Sequence, residues 1–155
     1  DMGNFKFRLQ KVGERRTWRE QESAARLGAA RQRMSEAERA AEALREVRAS
    51  GNANLLRAHS EGGPVGQLQN LNYLLARIDQ QIAEADAARL EAEKGVQASM
   101  NDYLKALREK RTLERLRDRQ AELDRIRRGQ AENRVMDDLA VSRFVRKAAG
   151  EAAEG

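Results

Sequence analysis

The chain has 155 residues, with 30 Lys and Arg against 25 Asp and Glu, a net charge of +5; 35% of it is charged and 4% aromatic, and it has no cysteine. That leaves too few large apolar side chains for an ordinary compact core of this length and fits a long helix or coiled coil. It excludes thiol-based catalytic and metal sites and, with no run of about 18 apolar residues, a membrane-spanning helix.

Residues 1–19 hold six basic and two acidic side chains. The opening DMGNFKFRLQKV lacks the apolar stretch of a signal peptide. Phe5, Phe7 and Leu9 alternate at period two, and are expected either to cap a helical seam or to form a hydrophobic collar. Trp18, among Arg15, Arg16 and Arg19, reads as a tryptophan half-buried under arginine stems, or else as a partner anchor.

A first helix is predicted over about 5–50. In it Leu27, Ala30, Met34, Ala37, Ala41 and Leu44 alternate spacings of three and four. The stretch SGNANLLRAHSEGGPVG at 50–66 holds the only proline, Pro64, and four of the eleven glycines. Gly and Pro break helices, so a bend is expected over 51–64, with its turn at Ser60–Pro64. His59 stands alone there and reads as a solvated loop histidine. The GGPVG run lacks the lysine and preceding strand of a phosphate loop.

A second helix is predicted over about 65–148. Leu68, Leu71, Leu75, Ile78, Ile82, Ala85, Ala92, Val96, Tyr103, Ala106 and Leu113 share one 3-4 frame, with Arg89, Ser99 and Lys110 in its polar slots. Heptad stripes joined by a short bend cover each other by folding back antiparallel. The predicted fold is therefore all-α: a single antiparallel two-helix coiled-coil hairpin with unequal arms of roughly 70 and roughly 125 Å, the second longer. Such a hairpin is marginal alone, and a four-helix dimer would bury more apolar area. Gly129 is the expected fraying point, and residues 150–155 are expected to be disordered.

The end of the second helix carries the charge. Residues 105–155 hold fourteen basic and ten acidic side chains, and Lys105–Arg128 alone holds ten against five. In a hairpin this segment shares one end with the basic N-terminus. Pairing within the helix, as for Glu122 and Arg125, would use some of the arginines at tenths of a kcal/mol each. The surplus points to an acidic partner surface or nucleic acid, which guanidinium groups grip in bidentate fashion.

Two stretches, FKFRLQKVGERRTWREQE at 5–22 and LERLRDRQAELDRIRRGQAENRVMDDLAVSRF at 113–144, resemble the two ends of the flagellar export protein family FliJ. Gly13 and Arg15 depart from that pattern, standing in leucine-like slots and weakening the first turns of the seam. The resemblance implies a non-enzymatic stalk or adaptor of the flagellar type III export apparatus, similar to the central stalk of rotary ATPases. Its terminal end would enter the ring of the hexameric export ATPase. Its middle would contact the cytoplasmic region of the membrane export gate. It would also escort export substrate chaperones, and be cytoplasmic and peripheral on the inner membrane through these partners. Carried over by position, the ATPase-facing candidates are Arg8, Lys11, Arg15 and Arg16, with Arg117, Arg125, Arg127, Arg128 and Arg134. The gate candidates are Leu74, Ile78 and Ile82, which read equally as seam residues, Leu74 least so. No catalytic residue, metal or cofactor is expected, because a two-helix hairpin brings no Ser, His and acid together. A generic or chaperone-like coiled coil is the alternative. A nucleic-acid binder fits less well, because the basic residues are interleaved with acids and no basic region forks from a zipper.

Overall fold

The computed structural model describes the backbone of residues 2–155 and the side chains of Lys6 and residues 8–155. Among these residues the structure is two α-helices, α1 over Met2–Ser60 and α2 over Val65–Ala153, packed against each other as a helical hairpin with the second arm longer. Packing divides the chain into two units: Glu14–Arg108, and Asp1–Gly13 with Glu109–Gly155.

In the unit Glu14–Arg108, every apolar position of the two 3-4 frames is buried or half-buried. Leu27, Ala30 and Ala41 of α1 and Leu75 and Ala106 of α2 are the most deeply covered. Burial of a leucine there stabilises by about 1.5–3 kcal/mol. The polar slots Arg89 and Ser99 are half-buried too. Their long or small side chains cover the stripe without breaking its spacing. Along one side, Arg45 Nη2 donates to both carboxylate oxygens of Asp86 at 2.7 and 2.8 Å, and Arg48 Nε donates to Asp79 at 2.7 Å. These pairs mark the antiparallel register, with residues 45 and 48 near 86 and 79.

The bend differs from its sequence expectation. Instead of ending near residue 50, α1 runs on to Ser60 through Gly51. Gly51 is no breaker here: it falls on the α1 frame, seven residues past Leu44, and faces Leu75. Leu55 and Ala58 continue the frame and are half-buried. Packing across the seam thus outweighs the roughly 1 kcal/mol that a glycine costs a helix.

The turn is confined to 61–64. Gly63 N–H donates to the Ala58 carbonyl at 3.2 Å and Gly62 N–H to the His59 carbonyl at 3.4 Å, while Gly62 has φ +69°. This is a Schellman closure, with glycine in the left-handed position that other residues occupy at a cost. His59 is thus in the last helical turn, not in a loop. The Pro64 carbonyl accepts from Gln67 and Leu68, which starts α2.

At the far end, α2 passes through Gly129 and Gly150 and stops only after Ala153. The expected stop at about 148 and the non-helical tail from 150 are corrected to that extent. Ala148, Ala149, Ala152 and Ala153 are strong helix formers that carry the chain past one glycine.

Candidate functional site

In the unit formed by Asp1–Gly13 and Glu109–Gly155, the seam changes character. The α2 frame continues past Leu113 as Arg117, Gln120, Asp124 and Arg127, so charged and amide side chains take the positions that leucines held earlier. The residues facing them on α1 are Lys6, Leu9 and Gly13. A Cβ on Gly13 would lie 3.1 Å from Nη2 of Arg117, so the tip of that side chain comes close to α1 here. The Arg117 guanidinium lies across α1 at Gly13.

Next to this crossing is an open cleft of about 750 Å³ lined by Lys6, Leu9, Arg117, Asp124, Arg125, Arg128 and Glu132, among others. A smaller recess of about 200 Å³ is shared by Lys6, Asp124, Arg127 and Arg128. With Glu122, which pairs with Arg125, the charged groups are five cations against three carboxylates, so the local balance is +2. Arg125 is further held by Glu122, with Nη2–Oε1 at 2.8 Å and Nε–Oε2 at 3.1 Å. That hydrogen bond raises the Arg125 pKa above its ordinary value, against a slight lowering by desolvation. The arrangement is a cationic groove lined by guanidinium donors, suited to carboxylates or other planar anions.

Four of the nine expected ATPase-facing residues, Arg117, Arg125, Arg127 and Arg128, therefore meet at one place, with Lys6 as a fifth cation that the sequence reading passed over. Arg8 and Lys11 are exposed on the same stretch of α1 but do not line the cleft. Arg134 is exposed beyond it. Arg15, exposed, and Arg16, half-buried, belong to the unit Glu14–Arg108.

The gate candidates separate. Ile78 and Ile82 are half-buried on the seam, whereas Leu74 is 52% exposed, beside an exposed Tyr73. Trp18 is 62% exposed and not covered by arginine stems. Phe5 and Phe7 lie outside the residues whose side chains are described. Phe144, which like Phe5 and Phe7 could be expected to cap the seam or form a collar, is 74% exposed, as are Val141 and Val145 to a lesser degree. Sequence reasoning missed the apolar face that Val141 and Val145 form beside it. Its signal was the return of Val141, Val145 and Ala148 to the α2 frame after a polar gap.

Among the described residues no His, Cys, Asp or Glu cluster has metal-binding geometry, and no helix is long and apolar enough to cross a membrane. The sequence profile of the family described as Flagellar FliJ protein matches residues 5–149. No curated protein matches the chain, and no solved structure does.

Proposed function

Since this chain belongs to the FliJ family of flagellar proteins, a family with a role in flagellar export, we propose that it is a non-enzymatic stalk and adaptor of the export apparatus. Its basic end inserts into the ring of the hexameric export ATPase, and the start of α2 contacts the cytoplasmic region of the export gate. The family is a non-catalytic export component, and escort of substrate chaperones is a further part of the reading. The chain acts peripherally on the cytoplasmic face of the inner membrane, through these partners.

The observation that supports ring insertion is the meeting of Lys6 with Arg117, Arg125 and Arg128 around one cleft, and with Arg127 and Arg128 around a smaller recess. An acidic ring lumen would be attracted to that surface, and the attraction would steer and orient docking more than it would tighten it. Arg8, Lys11, Arg15, Arg16 and Arg134 extend the same charge along the helices. For the gate, Leu74 is the contact offered to a partner, and Ile78 and Ile82 support it from the seam.

The test is a charge reversal of Arg125, Arg127 and Arg128 to glutamate, assayed for stimulation of the cognate ATPase. All three side chains are exposed, so helicity by circular dichroism should change little. Stimulation should be lost. If the reversed protein still stimulates hydrolysis, the basic end is not the contact.

A further inference from the structure

Every residue of α2 from Gln130 to Ala153 is exposed. The two sides of this last stretch of helix differ. At about 100° per residue, Val141, Phe144, Val145, Ala148 and Ala152 fall within an arc of about 100°. Val141 is 62%, Phe144 74% and Val145 58% exposed. Arg143, Arg146 and Lys147 fall on the opposite side of the helix. Arg134, Asp137 and Asp138 stand on or beside the apolar arc before Val141 and end it there, and Glu151 stands at its edge after Ala148. Val135, Met136 and Leu139 lie on the other side and give way to Arg143 and Arg146. The amphipathic stretch is therefore Leu139–Ala149, which holds three cations and no acid.

We propose that this stretch lies in the surface of an anionic lipid bilayer, with Val141, Phe144 and Val145 turned into the headgroup boundary. Three observations choose a membrane over a protein groove. First, Phe and Val on one side with Lys and Arg on the other is the pattern of a helix that lies in the interface plane. At roughly 16 Å the stretch is far too short to span, so it lies flat. Secondly, the two sets of side chains face opposite ways. A protein groove that took the apolar side would touch that side alone and leave the three cations in water. A charged plane attracts both sides, because its field reaches about 8–10 Å, close to the diameter of the helix. Thirdly, the cations are confined to the turns that carry the apolar arc. Residues 130–138 hold three acids and one arginine, and residues 150–155 hold two acids and no cation.

Direct lipid contact does not depend on the stalk reading, which brings the chain to the membrane only through partners. It is measured with no ATPase and no gate present, so the two readings fail or succeed separately.

Vesicle flotation of the full chain is the test. The native chain should float with phosphatidylcholine vesicles containing about 30% phosphatidylglycerol, and not with phosphatidylcholine alone. Raising salt from about 50 to about 500 mM should release most of it. Phe144→Ser should weaken the partition at least about tenfold, although it removes no charge. Arg143→Gln combined with Arg146→Gln should weaken it about as much. All three positions are exposed, so circular dichroism should be unchanged. Leu90→Ser is the control: Leu90 is 50% exposed on α2 but lies outside the stretch, and its loss should leave flotation intact. A native chain that stays unbound with the anionic vesicles overturns the proposal. So does a Phe144 variant that floats like the native chain, because adsorption would then be by general charge.

Discussion

Cδ2 of Leu75 lies 2.7 Å from the point where a Cβ on Gly51 would stand. The leucine is among the most deeply covered side chains, and the glycine opposite is what lets it reach α1. A residue that reads as a helix breaker is thus the hole for a seam knob.

This contact predicts opposite outcomes for one substitution at two glycines. Gly51→Ala gains about 1 kcal/mol of helix propensity but forces Leu75 to move, an overpacking cost of about 1–3 kcal/mol. It should lower stability. Gly28→Ala meets nothing within 4 Å. It should raise stability by about 0.5–1 kcal/mol. Urea unfolding followed at 222 nm reads both, and equal shifts for the two would contradict the packing described.

The three gate candidates should separate in the same assay. Ile78→Ala and Ile82→Ala remove half-buried seam atoms and should each cost about 1–3 kcal/mol, below the range for fully buried isoleucines. Leu74→Ala, on an exposed side chain, should stay within about 0.5 kcal/mol of the native chain. Under the proposed gate contact it nevertheless weakens capture of the cytoplasmic gate region. Intact capture with Leu74 truncated would remove that residue from the contact.

The Arg45–Asp86 pair joins the two helices, but both side chains are partly exposed. Solvent screening limits its coupling to about 0.2–1 kcal/mol. A double-mutant cycle with Arg45→Ala and Asp86→Ala should return a value in that range, shrinking as salt is raised. A larger, salt-insensitive coupling would show that the pair is better shielded than its exposure indicates.

Arg125 supplies a pH prediction by its sign. Its pKa is raised, chiefly by the hydrogen bond to Glu122. Whatever this shift contributes is fully present below the ordinary arginine value and is lost only as pH rises through the still higher folded value. Between pH 6 and 9 the guanidinium does not titrate, so ATPase stimulation should show no pH dependence traceable to it. A profile over that window that flattens when Arg125 becomes alanine would contradict this.

Much of the hairpin was legible in the residues. From Leu27 to Leu44 and from Leu68 to Leu113, spacing alone marks the side chains that the structure covers, because a repeat of 3.5 residues admits one covered stripe. Gly51 misled for a physical reason: backbone propensity disfavours it in a helix, and only the partner strand of packing, Leu75, reveals its use. Of the basic residues, composition located the surplus but not its geometry. Which arginines share a cleft depends on register across two helices, and that could not be read before Lys6 and Leu9 were seen beside 117–132. Trp18 was hidden by an ambiguity, since arginine neighbours in sequence can fold over a ring or leave it bare.

A molecule whose most deeply covered side chains are three alanines and two leucines has little interior to preserve. Most of its residues could be exchanged for others of like polarity, and the form would persist so long as the rhythm of small and branched side chains did. Kinship among such chains would then be carried by intervals more than by identities, and an ancient relative would look unfamiliar letter by letter while fitting the same socket.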